Sequence, residues 1–160
     1  MKITTFVLFE EVVLKMDRNM HGVLLSQQKI IDTVGGNVLH GMKNSDCGYD
    51  GFGESYFSTI NAGSIKGWKR HRQMTLNLIV PIGEIRFVIY DDRQGSETFG
   101  QFEDIILSRK NYFRLTIAPM LWLGFQGTGK SGGMLLNIAS IPHDPYEVDR
   151  KEIDEIAFEW

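Results

Sequence analysis

Cysteine is almost absent from this 160-residue chain, and Cys47 is the only one. A lone thiol excludes an intrachain disulfide and a thiolate metal cluster. Its flanks, "NSDCGYDGFG", are polar and turn-rich and hold no base to activate it, so Cys47 reads as an ordinary free cysteine. Proline is scarce as well, with four residues, and no Pro/Ser-rich linker or internal repeat divides the chain. Long apolar runs are missing. The N-terminal stretch "TTFVLFEEVVL" is interrupted by Glu10 and Glu11, which excludes a signal-peptide core, and no segment has the length of a bilayer span. Surplus positive charge is also lacking. A net charge of −3 and a pI near 5.8 argue against a general nucleic-acid binder. The expectation is a cytoplasmic protein with neither a membrane nor a nucleic acid as partner.

Strand signals fill the chain. β-Branched and aromatic residues mix with polar ones over residues 4–14, 21–31, 36–43, 53–61, 75–80, 84–91, 98–107, 111–119, 121–127 and 132–140. Between them stand Gly, Asn, Asp and Pro at short intervals, in "TVGG", "YDGFG", "INAG", "VPIG", "DDRQGS" and "GTGKSGG". Many short strands punctuated in this way predict an all-β sandwich or barrel. Residues 1–160 read as one domain, with the N-terminal strand available to a dimer interface. Helix signals are thin: one or two turns near the C-terminus, in "EVDRKEIDEIAF", and a single turn in "DRNMHG".

Two stretches need separate readings. "GFQGTGKS" matches the spacing of a phosphate-binding loop, but the following "GGMLLNIAS" is a strand pattern rather than a helix. The stretch reads as a β-hairpin loop. "GSIKGWKRHR" gathers Lys66, Lys69, Arg70, His71 and Arg72 at the entrance to a run of β-structure. Alternation along a strand puts Lys69 and His71 on one face and Arg70 and Arg72 on the other. A bulge at Gly67 would bring Lys66 to the face of Lys69. The plain alternative is a charged strand edge that resists aggregation. Arg70 and Arg72 then read as solvated or as a dimer contact.

The segment "DDRQGSETFGQFEDIILSRKNYFRLTIAPMLWLGF" resembles the dTDP-4-dehydrorhamnose 3,5-epimerase family, whose members carry D-x-R-x-G-S-P-T-F-G, then L-S, then I-P-P-G-x-x-H-G-F. Asp91, Arg93, Gly95, Ser96, Thr98, Phe99 and Gly100 match the first part. Leu107, Ser108, Ile117, Pro119, Gly124 and Phe125 match the rest. "GSIKGWKRH" falls where the family has G-V-x-R-G-L-H-Y-Q. The resemblance covers residues 20–140 and implies a cupin-type double-stranded jelly roll, a homodimer, no cofactor, and a nucleotide-linked sugar in the barrel mouth.

For a nucleotide-linked 4-keto sugar, the implied chemistry is removal of a proton α to the ketone at C3 or C5. An enolate forms, and a proton returns to the opposite face. This requires a base, a cation or donor for the enolate oxygen, a proton source, and cations for the diphosphate. The departures from the family fall on these parts. Lys66 replaces a substrate-binding arginine, Lys69 the catalytic histidine, and His71 a pocket glutamine. The family's lysine on the next strand has Thr75 or Asn77 as its nearest match. Pro142 and His143 stand where the acid tyrosine is expected, and "DTVGG" lacks the early arginine.

The resemblance therefore implies an epimerase with Lys69, His71 and His143 in the acid/base roles. Lys66, Asn77, Tyr56 and Trp122 are the substrate-binding candidates. Two alternatives stand beside it: a 3,4-ketoisomerase of a nucleotide sugar, and a non-catalytic sugar-nucleotide-binding cupin. A metal-dependent cupin would need an H-x-H pair and a later histidine, and Lys69 and Leu123 occupy two of those positions, so no metal is expected. Against the ligand readings, His143 in "PHDP" suits a turn residue bonded by Asp144. Trp68, Trp122 and Phe125 suit a core, with Trp122 also placed to stack on a sugar or base. Asp91 suits a buried anchor for Arg93. His21 and His40 read as surface residues.

Overall fold

The computed structural model describes residues 20–160 and the backbone of Lys15–Asp17. The strand expected over residues 4–14 lies outside the described residues. Those residues form twelve strands: β1 (Lys15–Asp17), β2 (Val23–Gln27), β3 (Ile30–Thr33), β4 (Gly36–Leu39), β5 (Glu54–Ile60), β6 (Ile65–His71), β7 (Leu76–Tyr90), β8 (Phe102–Ser108), β9 (Phe113–Ile117), β10 (Trp122–Gly127), β11 (Gly133–Ala139) and β12 (Val148–Arg150). The ladders between these strands are antiparallel. One layer runs β1-β2-β9-β7-β11-β5 and the other β8-β7-β10-β6-β12. This is the double-stranded jelly roll of the cupins, with short 3₁₀ turns at Pro145–Glu147 and Ile153–Glu155.

The long strand β7 belongs to both layers. Its first half lies between β9 and β11, its second between β8 and β10. The sequence suggests a turn at "VPIG", but one strand runs through it. A register shift against β11, between Met134 and Leu136, marks a bulge that bends β7 from one layer into the other. Bulges tolerate proline, which accounts for Pro81 inside a central strand. Gly83 follows in the left-handed region at φ 77°, and a Cβ there would collide with the Gly132 carbonyl oxygen.

"GTGKSGG" is not a hairpin loop. β10 and β11 are not hydrogen-bonded to each other, so residues 128–132 connect the two layers. The segment after it is strand β11, where a phosphate loop would open a helix.

The main core fills the space between layers, with Leu78, Ile85, Phe87, Ile89, Leu107 and Leu115 fully buried. A second cluster, Trp68, Val88, Trp122 and Ile156, sits on the outer face of the β6–β10 layer. The C-terminal segment covers it, and Phe158 and Trp160 pack there. Gly124 makes room for this segment, because a Cβ would lie 2.7 Å from the Trp160 ring. The stretch expected to form helical turns, "EVDRKEIDEIAF", therefore contains strand β12 and only one 3₁₀ turn within it, at Ile153–Glu155.

The matched motif around residue 91 is structural. Asp91 is fully buried and accepts hydrogen bonds from Arg93 Nε and Nη2, Ser96 Oγ and Thr98 Oγ1. Burial pushes its carboxyl up, but these hydrogen bonds outweigh it and hold the group well below the usual carboxylate range. The β3–β4 hairpin forms its own two-stranded sheet, on which Ile31, Val34 and Val38 are exposed.

Candidate active site

The site is built on β6, and its placement follows from one irregularity. Lys69 pairs with Leu123 on β10 and Lys66 with Phe125, so β6 spends one residue more than β10 between the two pairs. That bulge at Gly67–Trp68 resets the alternation and turns Lys66 to the same face as Lys69 and His71. Trp68 goes the other way into the outer cluster.

The inner face of β6 forms one wall of a cavity of about 620 Å³. Lys66, Lys69, His71, His143 and Tyr56 all line it. Five of the seven residues expected in the site thus meet around one cavity. The other two do not. Trp122 is buried on the outer face, donates from Nε1 to Asp92 Oδ2 at 2.7 Å, and lies under the Arg70 guanidinium. Asn77 is buried between β9 and β11, donating to Gly48 O and accepting from Thr116 Oγ1. Its polar atoms are taken up by the scaffold, and neither residue contacts the cavity.

β12, read in the sequence as possible helix, completes the wall. It pairs with β6 in the register Val148↔His71, Asp149↔Arg70, Arg150↔Lys69. Opposed residues share a face, so Arg150 joins Lys69 at the cavity while Asp149 meets the outward arginines. Arg70 and Arg72 both donate to Asp149, and Arg70 also reaches Asp92 at 2.9 Å. They hold β12 in place rather than facing only solvent.

His71 Nδ1 lies 2.7 Å from Glu147 Oε2. A carboxylate accepts only, so Nδ1 carries the proton and Nε2 is the ring nitrogen left for the cavity. Glu147 is buried in the 3₁₀ turn before β12, where its other oxygen accepts from the Gln73 and Met74 backbone N–H groups. Burial pushes the Glu147 carboxyl up. The Gln73, His71 and Met74 hydrogen bonds prevail and hold it below the usual range, ionised beside the histidine.

Lys69 is shifted down by partial burial first, then by the charges of Arg150 and Lys66. Lys66 Nζ donates to Thr59 O at 2.8 Å. On the opposite wall, burial and then Glu54 raise the Tyr56 hydroxyl above its ordinary value, which keeps it a proton donor at neutral pH. Beside Tyr56 lie Ser58 and Asn137. Asp144 caps Tyr146 N and makes no hydrogen bond to His143, which leaves the imidazole at the cavity. Tyr112, the other tyrosine considered as an acid, donates to His40 O and lies off the cavity. Among the described residues, no cluster of His, Cys, Asp or Glu is placed to hold a metal ion.

Glu147 and Arg150 escape a reading of the sequence alone. The available signal is the alternation "EVDR", in which Glu147 and Asp149 supply acceptors for His71 and for the cations Arg70 and Arg72. Without the register, that complementarity cannot be told from a charged helical turn.

Fold and cavity together define a cupin-type jelly roll with a histidine–carboxylate pair in a cationic barrel mouth. Over 88% of its length the chain is similar to a dTDP sugar isomerase from Desulfovibrio desulfuricans, with 91% of that chain covered, a TM-score of 0.84 and 38% identity. It shares its fold with the dTDP-4-dehydrorhamnose 3,5-epimerase of Bacillus anthracis, solved with TDP and pyrophosphate bound, at a TM-score of 0.79 and 20% identity over 91% of this chain and 89% of that one. The probable low-salt glycan biosynthesis epimerase Agl13 of Haloferax volcanii is 29% identical over 100 residues, 62% of this chain. That match spans 64% of the curated relative's length. No family model matches the chain. The chain belongs to the dTDP-4-dehydrorhamnose 3,5-epimerase family, as a divergent member.

Proposed function

We propose that the chain is an epimerase of a nucleotide-linked 4-keto (deoxy)sugar, acting at C3 and/or C5 through an enolate, in the biosynthesis of bacterial surface polysaccharide. The observation that carries this reading is the His71–Glu147 pair, which opens into a cavity walled by Lys66, Lys69 and Arg150. His71 takes the proton at Nε2, and Glu147 fixes the tautomer and stabilises the imidazolium that results. Lys69, two residues away on the same face, stands beside the ketone oxygen where charge develops. Tyr56 and His143, on other parts of the wall, return the proton. Lys66 and Arg150 take the diphosphate. The likeness to the Desulfovibrio dTDP sugar isomerase supports both the substrate class and the reaction class.

In this reading the protein works as a cytoplasmic homodimer. The exposed Ile31, Val34 and Val38 of the β3–β4 hairpin support the dimer, and the lone free thiol suits a reducing compartment. A second reading, 3,4-ketoisomerase of a nucleotide sugar, is equally compatible with the likeness to that dTDP sugar isomerase. Incubation with dTDP-4-keto-6-deoxyglucose in heavy water separates the readings. Epimerisation places deuterium at C3 or C5 and keeps the ketone at C4; ketoisomerisation moves the ketone to C3. Retention of every proton across dTDP-, GDP-, UDP- and CDP-linked 4-keto sugars would instead favour the binding cupin.

A further inference from the structure

Lys69 is placed unlike any other cation on β6. Among the described residues its Nζ has no hydrogen-bond or ion-pair partner, whereas Arg70 and Arg72 are held by aspartates and Lys66 by a carbonyl. Its neighbours are of the same sign. Arg150 stands directly opposite on β12, and Lys66 lines the same wall. Like charges directly opposed on neighbouring strands are destabilising. Cationic surroundings together with partial burial favour the free amine, the form that adds to a carbonyl, and Lys69 is shifted in that direction. The proton-transfer pair lies alongside. Lys69 and His71 are two residues apart on one strand face, so their Cα atoms are roughly 7 Å apart. A four-carbon stem from Lys69 thus reaches the atom next to the one that His71 Nε2 addresses.

We infer that Lys69 forms an imine with the C4 ketone of the substrate, so that the intermediate is an enamine in place of an enolate; this rests on the keto-sugar reading above. The neutral Nζ forms a bond to C4, and the carbonyl oxygen takes up a proton from the nitrogen to give a carbinolamine. A second proton, from imidazolium or solvent, lets that hydroxyl leave as water and leaves a protonated imine. His71 then removes the proton at C3 or C5. The C–H electron pair becomes the new carbon–carbon π bond, and the C=N π electrons settle on nitrogen as a neutral enamine. Protonation of the carbon from the other wall restores the iminium, and water releases the epimerised ketone and Lys69. No oxidant, reductant or metal enters the balance. C3 and C5 both flank C4, so one imine activates either centre.

The test combines trapping with substitution. The whole protein is incubated with dTDP-4-keto-6-deoxyglucose in heavy water, with and without cyanoborohydride, and its peptides are weighed. A reduced sugar-nucleotide adduct is expected on the peptide containing Lys69, and none in K69R. Arginine keeps the charge but forms no imine, so K69R should lose at least 100-fold in deuterium exchange at C3 or C5. Aminoethylation of Lys69→Cys, made in a Cys47→Ser background, should restore a tenth or more of wild-type exchange. Wild-type exchange with no adduct at Lys69, or K69R exchange within tenfold of wild type, overturns the imine and leaves the epimerase reading intact. Neither exchange nor adduct with dTDP-, GDP-, UDP- or CDP-linked 4-keto sugars overturns both.

Discussion

Arg70 leaves β6 on its outer face, joined there by Arg72 just past the end of the strand, and Lys69 and His71 leave it on the inner one. Outside, the guanidinium groups are matched by carboxylates: Arg70 bridges Asp92 and Asp149 over the Trp122 ring, and Arg72 donates to Asp149. Inside, Lys69 and Arg150 face each other with no carboxylate on either among the described residues, and the one nearby acid that does pair, Glu147, is bound to His71. The same short run of cations thus serves two purposes. Cations with fixed partners fasten β12 to β6, while those left unmatched form a wall suited to an anionic ligand. Alternation along the strand does the sorting, and the bulge at Gly67–Trp68 adds Lys66 to the inner set.

This contrast can be broken from either side. The largest effect is expected on the inner face. His71→Asn should lower turnover about 1000-fold, the scale of general-base catalysis. Its stability should change by about 1 kcal/mol or less, since Asn can still donate to Glu147. Steady-state rates and thermal melts check both halves, and loss of folding would make His71 structural. On the outer face the order reverses. Asp149→Ala strips both arginines of a shared acceptor and should cost about 2 kcal/mol of stability, given the worth of hydrogen bonds to charged groups. Its kcat should stay within about tenfold of wild type if β12 remains docked, read by urea unfolding beside turnover.

The smallest effect concerns pH. Glu147 binds protons less readily in the folded state than in the unfolded one, because the hydrogen bonds from Gln73, His71 and Met74 outweigh burial. Its contribution to stability is therefore present above the ordinary glutamate range and is lost as pH falls through the lower folded value. Glu147→Gln should flatten that acid limb of the stability curve. An unchanged limb would show that the acid sensitivity arises elsewhere.

How much of this could be read from the sequence depended on how local each signal was. The strands announced themselves through short-range alternation, which with a bulge also puts Lys66, Lys69 and His71 on one face; Tyr56 and His143, candidates through the family resemblance, line the same cavity. The failures came where position depends on distant segments. "VPIG" has turn composition, but a bulge keeps it inside β7 because both layers need that strand. β12 is three residues long and highly charged, so only its register against β6 reveals that Asp149 and Arg150 point to opposite faces. Trp122 was a candidate platform for a sugar, but the C-terminal segment folds back over it, and Gly124 allows that approach. Asn77 is, with Thr75, only the nearest match to the family's lysine, and its amide is consumed by Gly48 and Thr116.

The central claim is that the inner face of β6 moves a proton at a carbon next to a sugar ketone. Deuterium incorporation at C3 or C5 of a nucleotide-linked 4-keto sugar, followed by NMR in heavy water with wild type and His71→Asn side by side, tests it most directly. The account predicts incorporation by the wild type at a rate set by enzyme concentration, and a loss of about 1000-fold in the variant. Equal incorporation by both proteins, or none by the wild type across the four nucleotide classes, would contradict it.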